Sequence, residues 1–330
     1  AWSGLGREKL KKLDIGIDFT LFRNWTFTFD YFYDKRYDIF MNREAWPQSL
    51  AYHIAKPWSN IGKMDNKGVE FSINYANNFS RDLSVSLQAN FTYNKNKMVY
   101  VDEPEYPTIW KSETGKPYSR ITGYIAEGLF KSQEEIDNSP AQNLGSTPKV
   151  GDIKYRDLNG DGIIDSDDQT MISKYGSTPR LQYGFGGTVN YKKFDFGVLF
   201  SGSALRSIMT NGIDPFQEGI AVGNRNVLKY IADNYWSEEK LNWDAKYPRL
   251  GLLATDVANN TVNSSYWLRN GSFLRLKNVE VGYKIPYGRI FVSAANLFTF
   301  SPFDLWDPEL SSWNSYPMQK TVNVGIQLQF

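Results

Sequence analysis

The tightest constraint on this chain is a two-residue alternation that recurs from one end to the other. In residues 320–330, Val322, Val324, Ile326, Leu328 and Phe330 alternate with Thr321, Asn323, Gly325, Gln327 and Gln329. Successive side chains of a strand point to opposite faces, so one face is wholly apolar and the other polar. The pattern returns in Leu13–Leu21, Trp25–Tyr33, Val69–Tyr75, Leu83–Tyr93, Tyr183–Tyr191 and Phe194–Phe200, and in strands at 273–285 and 289–300. A strand that crosses a bilayer needs roughly 9–11 residues, apolar towards lipid and polar towards a lumen. A soluble sandwich strand alternates in the same way, so the connections must decide.

The connections sort by length. Short ones fall at 23–24, 77–81, 192–193 and 286–288; long ones at 42–65, 102–180, 204–272 and 301–319. Outer-membrane barrels have short periplasmic turns and long extracellular loops, whereas a sandwich has no reason to separate them. The expected fold is therefore all-β: a transmembrane antiparallel β-barrel contributing about nine strands, with those four long loops outside the cell. First and last strands both run inwards, and unpaired backbone groups in hydrocarbon are costly, so both edges are expected to pair with further strands. Within the long loops, strand-like pieces at 119–130 and 152–156 leave open whether they cross a membrane. A helix is expected at 226–239, capped by Asn224 or Asn226, from the spacing of Val227, Leu228, Ile231 and Tyr235.

Composition agrees with this reading. Aromatics make up 16% of the 330 residues, enough to furnish the girdles that membrane barrels carry at both interfaces. No stretch of 18 apolar residues occurs, so no membrane helix is expected. A net charge of +1 gives no reason to expect nucleic acid. Cysteine is absent, which removes disulfides and thiolate chemistry. Catalysis finds no support either: His53 is the only histidine and reads as a surface residue, and the acidic residues form no recognisable acid–base pair. The expectation is that the chain is not an enzyme.

One stretch carries metal chemistry. Asp157-Leu-Asn-Gly-Asp-Gly-Ile-Ile-Asp-Ser-Asp-Asp168 matches a twelve-residue calcium loop. Asp157, Asn159 and Asp161 occupy positions one, three and five, and Gly162 allows the sharp turn at six. Ile163 offers its carbonyl, Asp165 binds directly or through water, and Asp168 closes the site in place of the usual glutamate. A hydrogen-bonded Asx-turn loop is the metal-free alternative; structural calcium is the expectation.

The segment Gly151-Asp-Ile-Lys-Tyr-Arg-Asp-Leu-Asn-Gly-Asp-Gly162 also resembles the signature of SusC/RagA-type TonB-dependent transporters. Further matching stretches follow in order: Tyr247-Pro-Arg-Leu250, then Tyr266-Trp-Leu-Arg-Asn-Gly-Ser-Phe-Leu-Arg-Leu-Lys-Asn278, Val292-Ser-Ala-Ala-Asn-Leu-Phe298 and Asp307-Pro-Glu-Leu310. Leu13-Asp-Ile-Gly-Ile-Asp-Phe19 fits an earlier strand. The resemblance implies the C-terminal part of a plugged barrel of about 22 strands in a Gram-negative outer membrane. It implies import of large nutrients, glycans or peptides, driven by TonB through the N-terminal part, with a SusD-like lipoprotein as lid. Substrate contacts are then expected at Trp46, Trp58, Trp110, Trp306 and Trp313, whose flat faces stack on sugar rings or peptide groups. Two alternatives stay open: a stand-alone outer-membrane pore or adhesin, and a soluble calcium-stabilised β-binding module.

Overall fold

Nine strands form one antiparallel sheet in which every neighbour in sequence along the sheet is a neighbour in space. They are β1 (Lys9–Leu21), β2 (Trp25–Asn42), β3 (Trp58–Asn78), β4 (Leu83–Tyr100), β5 (Leu181–Tyr191), β6 (Phe194–Ala204), β7 (Phe273–Ile285), β8 (Gly288–Phe300) and β9 (Thr321–Leu328). The computed structural model describes residues 6–46, 56–213, 216, 227–310 and 314–329. Short turns join the strands at one end of the sheet and long connections at the other, as the alternation of lengths requires.

The alternation in the sequence becomes two unlike faces. The apolar face is the uncovered one: Ile17 is 59% exposed and Val324 76%. A sheet surrounded by water would hide that face. Aromatic rings stack across it from strand to strand, Phe19 on Phe27 at 4.9 Å, Phe27 near Phe71 at 6.4 Å and Phe71 near Phe91 at 5.6 Å. Such cross-strand pairs fix register, because a one-residue slip would turn every ring to the polar face.

Several boundaries differ from expectation. The 42–65 connection is shorter, since β3 begins at Trp58 and pairs with β2 as far as Asn42. Its first residues mix apolar and polar side chains on both faces (Trp58, Asn60 and Met64 on one, Ser59, Ile61 and Lys63 on the other), which hides the alternation, yet the paired backbone continues above the apolar band. The pieces at 119–130 and 152–156 are short strands, Ile121–Gly123, Ala126–Leu129 and Ile153–Tyr155, that pair outside the nine-stranded sheet. The helix covers Lys229–Asn234 only, and its N-cap is Leu228 without a side-chain bond. Asn224, Asn226, His53 and Phe330 lie outside the described residues.

The buried core lies in the connections, not between sheet faces. Tyr124, Leu129, Ile153, Tyr155 and Ile164 from the β4–β5 connection pack with Ile213, Phe216, Ile231, Trp236, Tyr247 and Trp267 from the β6–β7 connection. Leu305 and Trp306 from the β8–β9 connection pack against them. Three of the four long connections therefore form one folded layer at a single end of the sheet. Gly151 shows how closely it is packed: its φ is +87° and a Cβ there would stand 2.0 Å from the Trp236 ring.

Candidate functional site

Two parts of the molecule could meet a ligand: the loop layer and the polar wall beneath it. The layer is stitched by a buried polar network. Asp152, fully buried, faces the Arg249 guanidinium, whose Nη2 donates to Oδ2 at 3.0 Å. Arg249 Nε approaches Oδ1 at 2.6 Å, an ion-pair contact whose N–H does not point at the oxygen. Asn260 Nδ2 donates to the same Oδ1 at 2.7 Å and the Lys149 amide to Oδ2 at 2.8 Å. Burial lifts the Asp152 carboxyl above the ordinary carboxylate range, against the pull of Arg249 and these donors. Its neighbour Asn259 donates to the Ile153 carbonyl at 3.0 Å and accepts from Gln142 at 2.7 Å. Side chains of one connection thus satisfy the backbone of the other, which a buried loop needs because it lacks a ladder.

A second set of charges ties the layer to the wall. Arg275 on β7 is 1% exposed and lies 2.5 Å from Asp307 and 2.9 Å from Glu309. Arg206, just beyond β6, donates to the Pro308 carbonyl at 2.7 Å. These two arginines hold residues 307–309 against the polar face. Below that contact is a recess of about 540 Å³ lined by Gln88, Asn90, Gln182, Ser201 and Ser203, with Glu309 at its side. Arg206 and the Phe185, Phe200 and Phe273 rings also line it, and amides and hydroxyls beside aromatic surface suit hydroxyl- or amide-rich molecules.

The acidic loop is ordered by its own side chains. Asp157 accepts from the Gly160 amide at 2.6 Å and the Gly162 amide at 2.8 Å. Asn159 accepts from Asp161 N at 3.0 Å, and Asp161 from Ile163 N at 2.8 Å. Gly162 takes φ +84°, the turn that position six demands. Asp165 caps the short turn Ser166–Asp168. Asp168 is fully buried, and its two oxygens accept from Leu158 N at 2.7 Å and Asp165 N at 2.9 Å. The donors are hard oxygens, as calcium prefers, but among the described residues no three acidic or histidine side chains converge on a point. Asp157 and Asp168 each accept one backbone N–H on either oxygen, and Asp161 also accepts from Asn159 Nδ2 at 2.9 Å; all keep further lone pairs, and Asp168 differs in being fully buried.

The tryptophans occupy separate settings. Trp46 lies under Arg43, 5.9 Å from ring to guanidinium, and Trp58 stacks on Phe40 at 4.9 Å; both are exposed. Trp110 donates to the Asp167 carbonyl at 2.8 Å and so braces the acidic loop. Trp306 packs edge-on to Phe303 at 4.6 Å. Trp313 lies outside the described residues. Sequence reasoning missed Asp152, Arg249, Arg275 and Asp307 as a paired system, although all four stand inside the stretches quoted above. Gln142, Asn259 and Arg206 gave no signal, being single polar residues in irregular sequence.

Comparison with known proteins agrees with this geometry. The family model described as TonB dependent receptor-like, beta-barrel matches residues 3–297. TonB-dependent receptor P3 of Formosa agariphila is 28% identical over 97% of this chain and 32% of its own length. TonB-dependent receptor SusC of Bacteroides thetaiotaomicron is 27% identical over 98% of this chain, again 32% of its own length. Among solved structures, the RagAB peptide transporter superimposes with a TM-score of 0.70 at 22% identity, over 98% of this chain and 35% of that one. The chain thus spans about a third of the length of these relatives. Sheet, exposed apolar face and family match agree, and the chain belongs to the TonB-dependent receptor β-barrel family of outer-membrane proteins, with SusC among its relatives.

Proposed function

We propose that this chain forms the C-terminal part of an outer-membrane importer of large nutrients, driven by TonB through the rest of the protein. The observation that carries this reading is the folded loop layer pinned by Arg275 and Arg206 over a polar recess in the inner wall. An open pore would not need a loop core of eleven buried residues, and an adhesin would not need the recess. The recess favours glycans or peptides, and Trp46 and Trp58 offer exposed rings at the same end. The likeness to the RagAB peptide transporter supports the fold on which this reading rests. A SusD-like lipoprotein docks on the loop layer, chiefly on the 204–272 connection, as a lid. Affinity purification of the intact assembly from outer membranes is expected to return that lipoprotein, and gene disruption to abolish energy-dependent uptake of a glycan or peptide class. Purification without any lipoprotein, together with unchanged depletion of such nutrients from the medium, would overturn the proposal.

Structural calcium in the 157–168 loop is part of the same reading. Its support is the spacing of Asp157, Asn159, Asp161, Ile163, Asp165 and Asp168 and the turn at Gly162. The ion would add to the hydrogen bonds at Asp157, Asn159 and Asp161, whereas Asp168 would have to turn out of its buried position to reach it. Calcium is expected to slow amide exchange in 157–168, and a chelator to reverse this. An exchange pattern indifferent to both would refute a calcium site.

A further inference from the structure

The outward face of β1 to β4 changes character abruptly towards the long-loop end. From the short-turn end its rungs read Leu21–Trp25–Tyr75–Leu87, Phe19–Phe27–Ile73–Ala89, Ile17–Phe29–Phe71–Phe91 and Ile15–Tyr31–Val69–Tyr93. The next rung is Leu13–Tyr33–Lys67–Lys95, and the one beyond it Lys11–Lys35–Asp65–Lys97. Five lysines thus stand side by side directly above a band of apolar and aromatic side chains.

Five ammonium groups face a single carboxylate. Lys67 opposes Lys95, and Lys11 opposes Lys35, as direct cross-strand partners. Like charges in that position destabilise a sheet. The one carboxylate among them, Asp65, accepts from the Tyr33 hydroxyl at 2.6 Å. All five lysines are exposed, and among the described residues none has a carboxylate within ion-pair distance. Two lie over tyrosine rings: Lys11 is 5.6 Å from Tyr37 and Lys35 is 5.2 Å from Tyr33. Blunting of an edge strand explains a lysine on β1 but not Lys35 on β2 or Lys67 on β3, which are paired on both sides. The short-turn end of the same face carries no such row.

We propose that these lysines bind the phosphorylated headgroups of outer-leaflet lipids, with Tyr33 and Tyr93 seating the upper acyl region and Tyr37 standing one rung beyond the lysines. The occupant is a lipid because the cationic rungs continue the lipid-facing surface without a break. Long lysine stems lie along apolar surface while the ammonium groups reach up to the interface. The patch is four strands wide, roughly 14 Å at strand spacing, and two rungs deep, roughly 7 Å. That is the footprint of a headgroup rather than of a folded partner. The inference rests on the reading that places the long loops outside the cell.

The test uses the full-length protein purified from outer membranes in mild detergent, with retained phosphorylated lipid counted by native mass spectrometry. Lys67→Gln with Lys95→Gln, and Lys11→Gln with Lys35→Gln, should each lower retention by roughly fivefold per lysine lost. The corresponding Lys→Arg pairs should restore it and show that the barrel still folds. Phosphatase treatment of the lipid should abolish binding, and inorganic phosphate at millimolar concentration should not compete. Unchanged retention in the glutamine variants, binding of dephosphorylated lipid, or displacement by free phosphate would overturn the lipid site. Asp137→Cys, exposed in the β4–β5 connection, reports orientation separately once any cysteine outside these 330 residues is replaced by serine. A membrane-impermeant maleimide should label it on intact cells. If label enters only after lysis, the orientation is wrong, whatever the lipid count.

Discussion

Arg249 and Asp152 stand 97 residues apart in the chain and meet as a buried ion pair that joins the two longest connections. Each lies in a different family stretch, Tyr247-Pro-Arg-Leu250 and Gly151-Asp-Ile-Lys154. Arg275 and Asp307 repeat the relationship, joining the β7 stretch to Asp307-Pro-Glu-Leu310. The stretches that mark the family in sequence are therefore the two halves of contacts that assemble the loop layer and fasten it to the wall.

Removing one partner of a buried pair strands the other. Arg249→Ala should destabilise the loop layer by about 3–5 kcal/mol, leaving Asp152 buried without its countercharge. Arg249→Met with Asp152→Leu should cost much less, because both charges go together. Thermal proteolysis of the loop layer, with the strands as internal reference, measures both. Equal losses in the single and double variants would show that the pair is not the relevant unit.

Residues 307–309 should be releasable without harming the sheet. Asp307→Asn with Glu309→Gln removes both countercharges of Arg275, leaving the Arg206 bond to the Pro308 carbonyl. Amide exchange across 303–310 should rise while β7 and β8 keep their protection. Exchange that stays at the parent level would mean that packing of Phe303 and Trp306 holds the segment by itself.

Glu103 gives the loop layer a pH dependence. Burial acts to raise its carboxyl, but donors from Glu113 N, Ser112 Oγ and Thr114 N outweigh it and hold the group below its ordinary value of 4.5. A depressed carboxyl contributes stability that is fully present above the ordinary value and lost as pH falls through the folded one. Local exchange at Glu113 and Thr114 should therefore accelerate below about pH 4.5. Glu103→Gln should remove the acid step. A step of equal size in that variant would assign it elsewhere.

The sheet was legible from the sequence because a lipid-facing wall repeats one rule, apolar outwards and polar inwards, along the apolar band of strand after strand from β1 to β9. Strand ends were less so. The first residues of β3 rise above the apolar band, where neither face demands apolar side chains, and the alternation fades. The loop core was not legible at all. Ile153, Tyr155 and Trp267 are fully buried, yet their neighbours follow no period, because irregular backbone is packed by long-range partners such as Asn259 and Asn260. The acidic loop shows the remaining gap. Its spacing specifies which oxygens are present, while Asp168 turns its oxygens to the backbone, a choice that spacing does not encode.

The most direct measurement is a spin-label scan of β4 in the full-length protein reconstituted in bilayers, with any cysteine outside these cysteine-free 330 residues replaced by serine and one label at a time placed from Leu83 to Tyr93. Collision with oxygen, which concentrates in lipid, should peak at Leu83, Val85, Leu87, Ala89, Phe91 and Tyr93. Collision with a water-soluble nickel complex should peak at Ser84, Ser86, Gln88, Asn90 and Thr92. Two out-of-phase profiles with a period of two are the result expected for a strand with lipid on one side and an aqueous lumen on the other. Water access at every position, or oxygen maxima on the polar set, would contradict it.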